Sequence, residues 1–222
     1  MRSVPRSAVA LRVPWMTDAQ YDAFLVDLDG TLYTQRWVRL AMAAELALFG
    51  WSAIKTLRQF RHEHEALRQE QNAGRALATT HASPFAGQLA RTADALGVPV
   101  AQVESVVKSW MFERPGKWIV RFPRRPLLAE LRAFRAQGGV CALVSDYPAE
   151  RKLDALGVRN LFDVIVANGE AHGPRRLKPD PEGYLRAAEL LKVQPARCLV
   201  IGDRDDADGE AARAAKMSFR LV

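Results

Sequence analysis

Five apolar runs, each five or six residues long, punctuate the chain at residues 23–27, 140–145, 163–167, 198–202 and 218–222. Each is short and bounded by turn residues, which reads as a strand. The last four lie among helical patterns with legible ends. Residues 126–137 run to Gly138-Gly139. Residues 148–156 open on a proline and close at Gly157. Residues 181–192 follow Asp180, a natural N-cap, and 206–216 are rich in alanine. Proline suits the first helical position and glycine the position past the last. Alternating apolar strands and helices predict an α/β fold, a parallel sheet covered on both faces.

Between residues 34 and 120 strand signals largely vanish. Val38, Met42, Leu46, Phe49, Ala53, Leu57 and Phe60 recur three and four apart, a helical apolar stripe. A second row, Trp37, Ala41, Ala44, Leu48 and Trp51, makes this stretch apolar on more than one face. Residues 91–96 end at Gly97, and 103–112 end before Arg114-Pro115-Gly116. The expected organisation is an N-terminal arm over 1–20, a core domain from 21–33 and 121–222, and an all-helical cap over 34–120.

Chemistry gathers at the strand ends. Asp27-Leu28-Asp29-Gly30-Thr31 closes the first run. Side chains alternate along a strand, but the pleat is lost where it ends, so Asp27 and Asp29 can approach one reacting group. Ser145-Asp146 ends the second run, Lys178-Pro179-Asp180-Pro181 precedes a helix, and Gly202-Asp203 ends the fourth run and leads to Asp208. Ligands of open parallel sheets bind at the carboxyl ends of the strands. Asp27, Asp29, Ser145 and Asp203 all fall there, so they read as one site.

This ordered set resembles the haloacid dehalogenase-like hydrolase superfamily. The long insert after the first motif is similar to its helical-cap branch, which includes phosphoglycolate phosphatase-like enzymes. The resemblance runs from about residue 21 to 222. It implies a Rossmann-like sheet and a magnesium-dependent phosphatase acting through an aspartyl-phosphate. Asp27 is then the nucleophile and Asp29 the general acid and base. Lys178 neutralises the crowded charge. Thr31, Ser145, Asp146 and Lys178 hold the phosphoryl group. Mg2+ is ligated by Asp27, the Asp29 carbonyl and Asp203, with Asp208 holding a water or orienting the site. Asp205 and Asp206 read as caps of the following helix. Tyr33, Arg36, Trp37 and Arg39, just past the first motif, are candidates to face the leaving group.

Rival chemistries on this fold are weaker matches. A dehalogenase needs neither Asp29 nor a metal site. A phosphonate hydrolase needs a desolvated cap lysine, and nothing marks Lys55 or Lys108 as one. A phosphomutase shares the motifs and differs mainly in the cap. A scaffold protein would not keep every charged site position filled.

Composition adds bounds. Apolar residues make up 49% and charged residues 26%, as in an ordinary globular protein. Cys141 and Cys198 lie in apolar runs and read as buried thiols, which fits a reducing, cytoplasmic location. The arm is too short and broken for a membrane span or secretory segment, and Met16 is an alternative start. The net charge of +7 is scattered, without a basic run, so no nucleic-acid partner is expected. A small phosphorylated molecule is the expected partner. The basic balance and the apolar rows also suit a peripheral contact with an anionic membrane and a lipid-like substrate. His62, His64, His81 and His172 form no ligand set and read as solvated. Oligomeric state is not legible.

Overall fold

The computed structural model describes residues 20–74 and 81–222. The N-terminal arm, with Met16, lies almost wholly outside them. Five strands, β1 (Ala23–Val26), β2 (Val140–Ser145), β3 (Val164–Ala167), β4 (Cys198–Gly202) and β5 (Ser218–Leu221), form one sheet in the order β3-β2-β1-β4-β5, every pair parallel. The five expected runs thus become the five strands. Val26 is in register with Leu143 on one side and Ile201 on the other. The strand ends carrying Asp27, Ser145 and Asp203 therefore lie at one edge. The chain winds from β1 to β2 and β3, then returns to place β4 on the other flank of β1. That reversal opens a crevice beyond the carboxyl ends.

Alternation along β1 splits the core. Phe24 and Val26 face a cluster with Leu127, Leu128 and Leu131 of α6 (Arg125–Ala136) and Leu153 of α7 (Glu150–Leu156). Ala23 and Leu25 face Tyr184 and Ala187 of α8 (Glu182–Leu191) and Ala211 of α9 (Glu210–Ala214). The expected 206–216 helix begins instead as a π turn, Asp205–Gly209. Asp205 and Asp206 make no cap hydrogen bond there. They pair with Arg213 and Arg204, and Asp206 also meets Arg68 at 3.7 Å.

Among the described residues, five helices run between β1 and α6: α1 (Gln35–Phe49), α2 (Trp51–Asn72), α3 (Pro84–Leu96), α4 (Val100–Val107), which continues as a π turn Lys108–Glu113, and α5 (Gly116–Ile119). Phe60, Leu89, Val103, Val107 and Phe112 form a separate apolar cluster among them. The continuous stripe expected over 38–60 is broken at Gly50, which ends α1 and begins α2. A Cβ at Gly50 would lie 2.5 Å from the Leu46 side chain and 2.6 Å from the Trp110 ring, so any larger residue would have to displace them. The break turns Phe49 outward, while Val38, Ala53 and Phe60 are buried.

The two passages joining this insert to the sheet run side by side. Tyr33 bridges Pro123, the Thr34 N–H donates to the Phe122 carbonyl, and the Arg124 N–H donates to the Leu32 carbonyl. The Arg124 guanidinium also donates to the carbonyls of Gly30 (2.8 Å) and Thr31 (3.0 Å). The junction is thereby pinned to the first motif. A second tie is Gln71 at the end of α2. Its amide donates to the Leu177 carbonyl (2.6 Å) and accepts from the Leu177 N–H (2.8 Å). Among the described residues no helix is long and apolar enough to cross a membrane.

Candidate active site

Asp27 leaves β1 with its N–H still donating to the Ile201 carbonyl at 2.9 Å, so strand geometry aims its carboxylate. One oxygen accepts from Lys178 Nζ (2.7 Å) and the other from the Thr31 hydroxyl (2.9 Å). Lys178 is buried, and its Nζ also donates to the Val144 carbonyl (2.9 Å) and contacts Asp208 Oδ1 (2.7 Å). Asp208 in turn accepts from the Tyr184 hydroxyl (2.7 Å) and the Arg204 N–H (3.3 Å). A buried ammonium persists because its three protons all have acceptors.

The cluster carries surplus negative charge. Burial pushes Asp27 up to about 7 against the pull of Lys178, with the Asp208 and Asp29 charges adding to the rise. Burial and Asp208 likewise raise Asp203. Asp27, Asp203 and Asp208 each offer a carboxylate oxygen, all within 4.8 Å of one another. A hard dication suits three oxygen donors and relieves their repulsion, so the set fits magnesium. The backbone leaves room for this crowding. Gly30 adopts φ +99°, and a Cβ there would lie 1.9 Å from Asp203 Oδ2.

Asp29 is held apart from that cluster. Lys152 Nζ sits 2.6 Å from both of its oxygens, and the Tyr33 hydroxyl donates to Oδ1. Burial would raise this carboxyl, but Lys152 and Tyr33 outweigh it and keep it below the ordinary aspartate range. The Lys152 ammonium also lies 5.8 Å from the centre of the Phe112 ring, on the insert. Thr31, expected to hold a phosphoryl group, is fully buried and spends its hydroxyl on Asp27. The Ser145 hydroxyl accepts from the Tyr147 N–H (3.2 Å). The Asp146 carboxylate accepts from the Lys178 N–H (3.1 Å), which fixes the lysine loop.

Above these groups lies a cavity of about 660 Å³. Its floor includes Asp27, Asp29, Ser145, Lys178, Asp203 and Asp208. Its roof is one face of α1 (Val38, Arg39, Met42, Leu46), one face of α2 (Leu57, Arg61, His64, Arg68), and Trp110 and Met111. Of the four leaving-group candidates, Tyr33 and Arg39 line the cavity. Arg36 and Trp37 do not: they lie on another face of α1, stacked on each other at 5.4 Å.

Sequence reasoning missed Lys152, because nothing in its local spacing marks an inward lysine. It also read His64 as solvated. His64 is instead half-buried against Tyr147, ring centres 4.6 Å apart, with burial lowering its pKa. The helical spacing of Leu57, Arg61, His64 and Arg68 was the available signal.

The haloacid dehalogenase-like hydrolase family model matches residues 21–216, and the chain belongs to that family. It is 33% identical over 120 residues to a phosphoglycolate phosphatase of Aquifex aeolicus, covering 53% of this chain and 54% of that one. It is 40% identical over 84 residues to the chloroplastic 5-amino-6-(5-phospho-D-ribitylamino)uracil phosphatase of Arabidopsis thaliana, covering 36% and 21%. The chain thus spans between a fifth and about half of these relatives' lengths. In three dimensions it is similar to L-2-haloacid dehalogenase of Xanthobacter autotrophicus, with a TM-score of 0.60 and 20% identity over 91% of this chain and 77% of that one. A predicted phosphoglycolate phosphatase of Haemophilus somnus gives 0.54 and 18%, over 92% and 85%. At such identities these structures establish the shared fold.

Proposed function

We propose that this chain is a magnesium-dependent phosphatase that hydrolyses a phosphomonoester through an aspartyl-phosphate on Asp27. The observation that carries the reading is the juxtaposition of Asp27 with Lys178 and the Asp203–Asp208 pair at the carboxyl edge of the sheet. Names of relatives such as phosphoglycolate phosphatase and fructose-1-phosphate phosphatase support the same class.

Asp27 attacks phosphorus and forms the acyl phosphate as the bond to the alcohol oxygen breaks. Asp29 gives that oxygen its proton. The resulting carboxylate then takes a proton from the water that attacks phosphorus, releasing phosphate and restoring Asp27. Lys152 and Tyr33 hold Asp29 ionised in this conformation, the form the second half-reaction needs, and the first half-reaction requires Lys152 to release the carboxylate so that it carries the proton it donates. Lys178 offsets the charge of Asp27 and the phosphoryl oxygens, and Ser145 with the adjoining backbone amides holds those oxygens. Asp27, Asp203 and the Asp29 carbonyl, with Asp208 orienting the site, would hold magnesium, which would supply further charge neutralisation. Residues 34–120 act as the cap over a core of 21–33 and 121–222. Its roof excludes water and selects the alcohol.

The test is phosphate release from p-nitrophenyl phosphate with and without magnesium, for wild type and Asp27→Asn. Magnesium-dependent turnover that the substitution abolishes is expected. Equal turnover by Asp27→Asn would refute the mechanism.

A further inference from the structure

The elbow between α1 and α2 exposes a cluster of large apolar side chains. Leu48, Phe49 and Trp51 are 70%, 75% and 74% exposed, and Trp37 and Leu40 about half. The other large apolar residues that are exposed lie scattered through the described chain, so this is a patch and not background. Leu40, Ala44 and Leu48 recur every four residues on α1, opposite the Met42–Leu46 face that roofs the cavity.

The charge around the patch has one sign. Between residues 34 and 62 the cations are Arg36, Arg39, Lys55, Arg58 and Arg61, and the sole carboxylate is Glu45. Glu45 is buried under hydrogen bonds from Arg114, Lys117 and Trp118, so it does not offset them at the surface. Trp51, Lys55 and Arg58 follow one another along an exposed face of α2. Tryptophan, phenylalanine and leucine at a turn, flanked by lysine and arginine, match the headgroup boundary of a bilayer.

We propose that this elbow docks the protein on a membrane surface carrying anionic lipid. A second copy of the chain fits less well. A symmetric contact through the same patch would set Lys55 and Arg58 against their own copies, and like charges in an interface oppose association. An anionic surface attracts Arg36, Lys55 and Arg58, which lie outside the cavity lining, while the apolar tip enters the interface. The proposal does not rest on the catalytic reading.

The experiment is flotation of the full chain with phosphatidylcholine vesicles, with and without phosphatidylglycerol. The variants are Leu48→Ser/Phe49→Ser/Trp51→Ser and Lys55→Gln/Arg58→Gln. These positions are solvent-exposed and outside the cavity lining, and a thermal melt verifies folding. Wild type is expected to float with the anionic vesicles at low salt and not with the neutral ones. Each variant is expected to lose about tenfold or more in partitioning, since one interfacial cation alone is worth roughly fivefold. Wild type that stays in solution with anionic vesicles overturns the proposal. So does a serine variant that floats like wild type. Sedimentation showing a wild-type dimer that the serine variant dissociates, without vesicle binding, assigns the patch to a second copy instead.

Discussion

The floor and the roof of the cavity are built differently. On the floor, Asp27, Lys178 and Asp208 interlock, and their polar contacts come from strand ends, the loops beside them and Tyr184 of α8. The roof is two helix faces carrying apolar side chains and three arginines. It reaches the sheet side through the Tyr33–Pro123 junction, the Gln71–Leu177 pair, an Asn168 contact with Phe85 and the Arg68–Asp206 ion pair. The floor is therefore fixed by the sheet, whereas the roof rests on these polar contacts together with apolar packing, Val38 and Ile119 against the sheet-side core and Phe60, His64 and Phe112 against Tyr147. On the proposed function, the floor carries the chemistry and the roof the selectivity.

Breaking the floor should have the largest effect. Asp27→Asn is expected to lose about 10⁴-fold or more in turnover, the scale seen when a covalent nucleophile is removed. Asp203→Asn should cost about 10³-fold by removing a hard donor from the cation site. A readout independent of turnover accompanies it: magnesium should raise the melting temperature of wild type and leave the variant unmoved. Equal magnesium shifts in both would show that Asp203 is not a ligand.

Asp29→Asn sharpens the division within the floor. General acid and base catalysis contributes about 10²–10⁴-fold, and most where the leaving alcohol is a poor one. The loss should be larger for an alkyl phosphate than for p-nitrophenyl phosphate when single-turnover rates of phosphoenzyme formation are compared. No loss for either substrate would point to a role in the second half-reaction alone.

The same contrast governs what could be read from the chain. Strands, their order of appearance and Asp27, Ser145 and Asp203 at their ends follow from short-range pattern, because a parallel sheet puts every carboxyl end on one edge. Lys152 and Thr31 depend on which way a side chain turns after the fold closes. Lys152 faces inward because Leu153 and Ala149 beside it are fully buried, a fact of how α7 packs against α5 and the core and not of spacing. The roof was legible as helices but not as faces. Gly50 splits one apparent stripe in two, and that break decides that Met42 and Leu46 look in while Phe49 looks out.

Loosening the roof should produce a smaller and different change. Gln71→Ala leaves the N–H of fully buried Leu177 unpaired, while its carbonyl keeps the Asp180 N–H at 3.0 Å, and the orphaned donor costs about 1–3 kcal/mol. Because Leu177 precedes Lys178, the variant also reports whether the clasp is purely structural. For a substrate that fills the roof, KM should rise about fivefold with kcat changed less than twofold, as expected when uniform binding is lost. A fall in kcat with KM unchanged would place Gln71 with the floor.

The smallest effect should come from the far end of the sheet. Asp163 accepts from the Cys141 N–H at 2.9 Å and pairs with both terminal nitrogens of Arg135, so it ties the start of β2 to α6. Burial raises its pKa, but the Arg135 and Cys141 hydrogen bonds win and hold it below the ordinary 3.8. A carboxyl depressed in the folded state stabilises above its unfolded pKa, and that contribution fades as pH falls through the folded value. Asp163→Asn should therefore cost about 1 kcal/mol near neutrality, since the pair is partly exposed and screened. The gap between variant and wild type, followed by urea denaturation, should close below the ordinary aspartate value and not between pH 5 and 8. Turnover per folded molecule should be unchanged, because Asp163 lies at the opposite ends of the strands from Asp27. A turnover defect at full folding would mean that strain at the amino ends of the strands reaches their carboxyl ends, and the floor would then be less rigid than its hydrogen bonds imply.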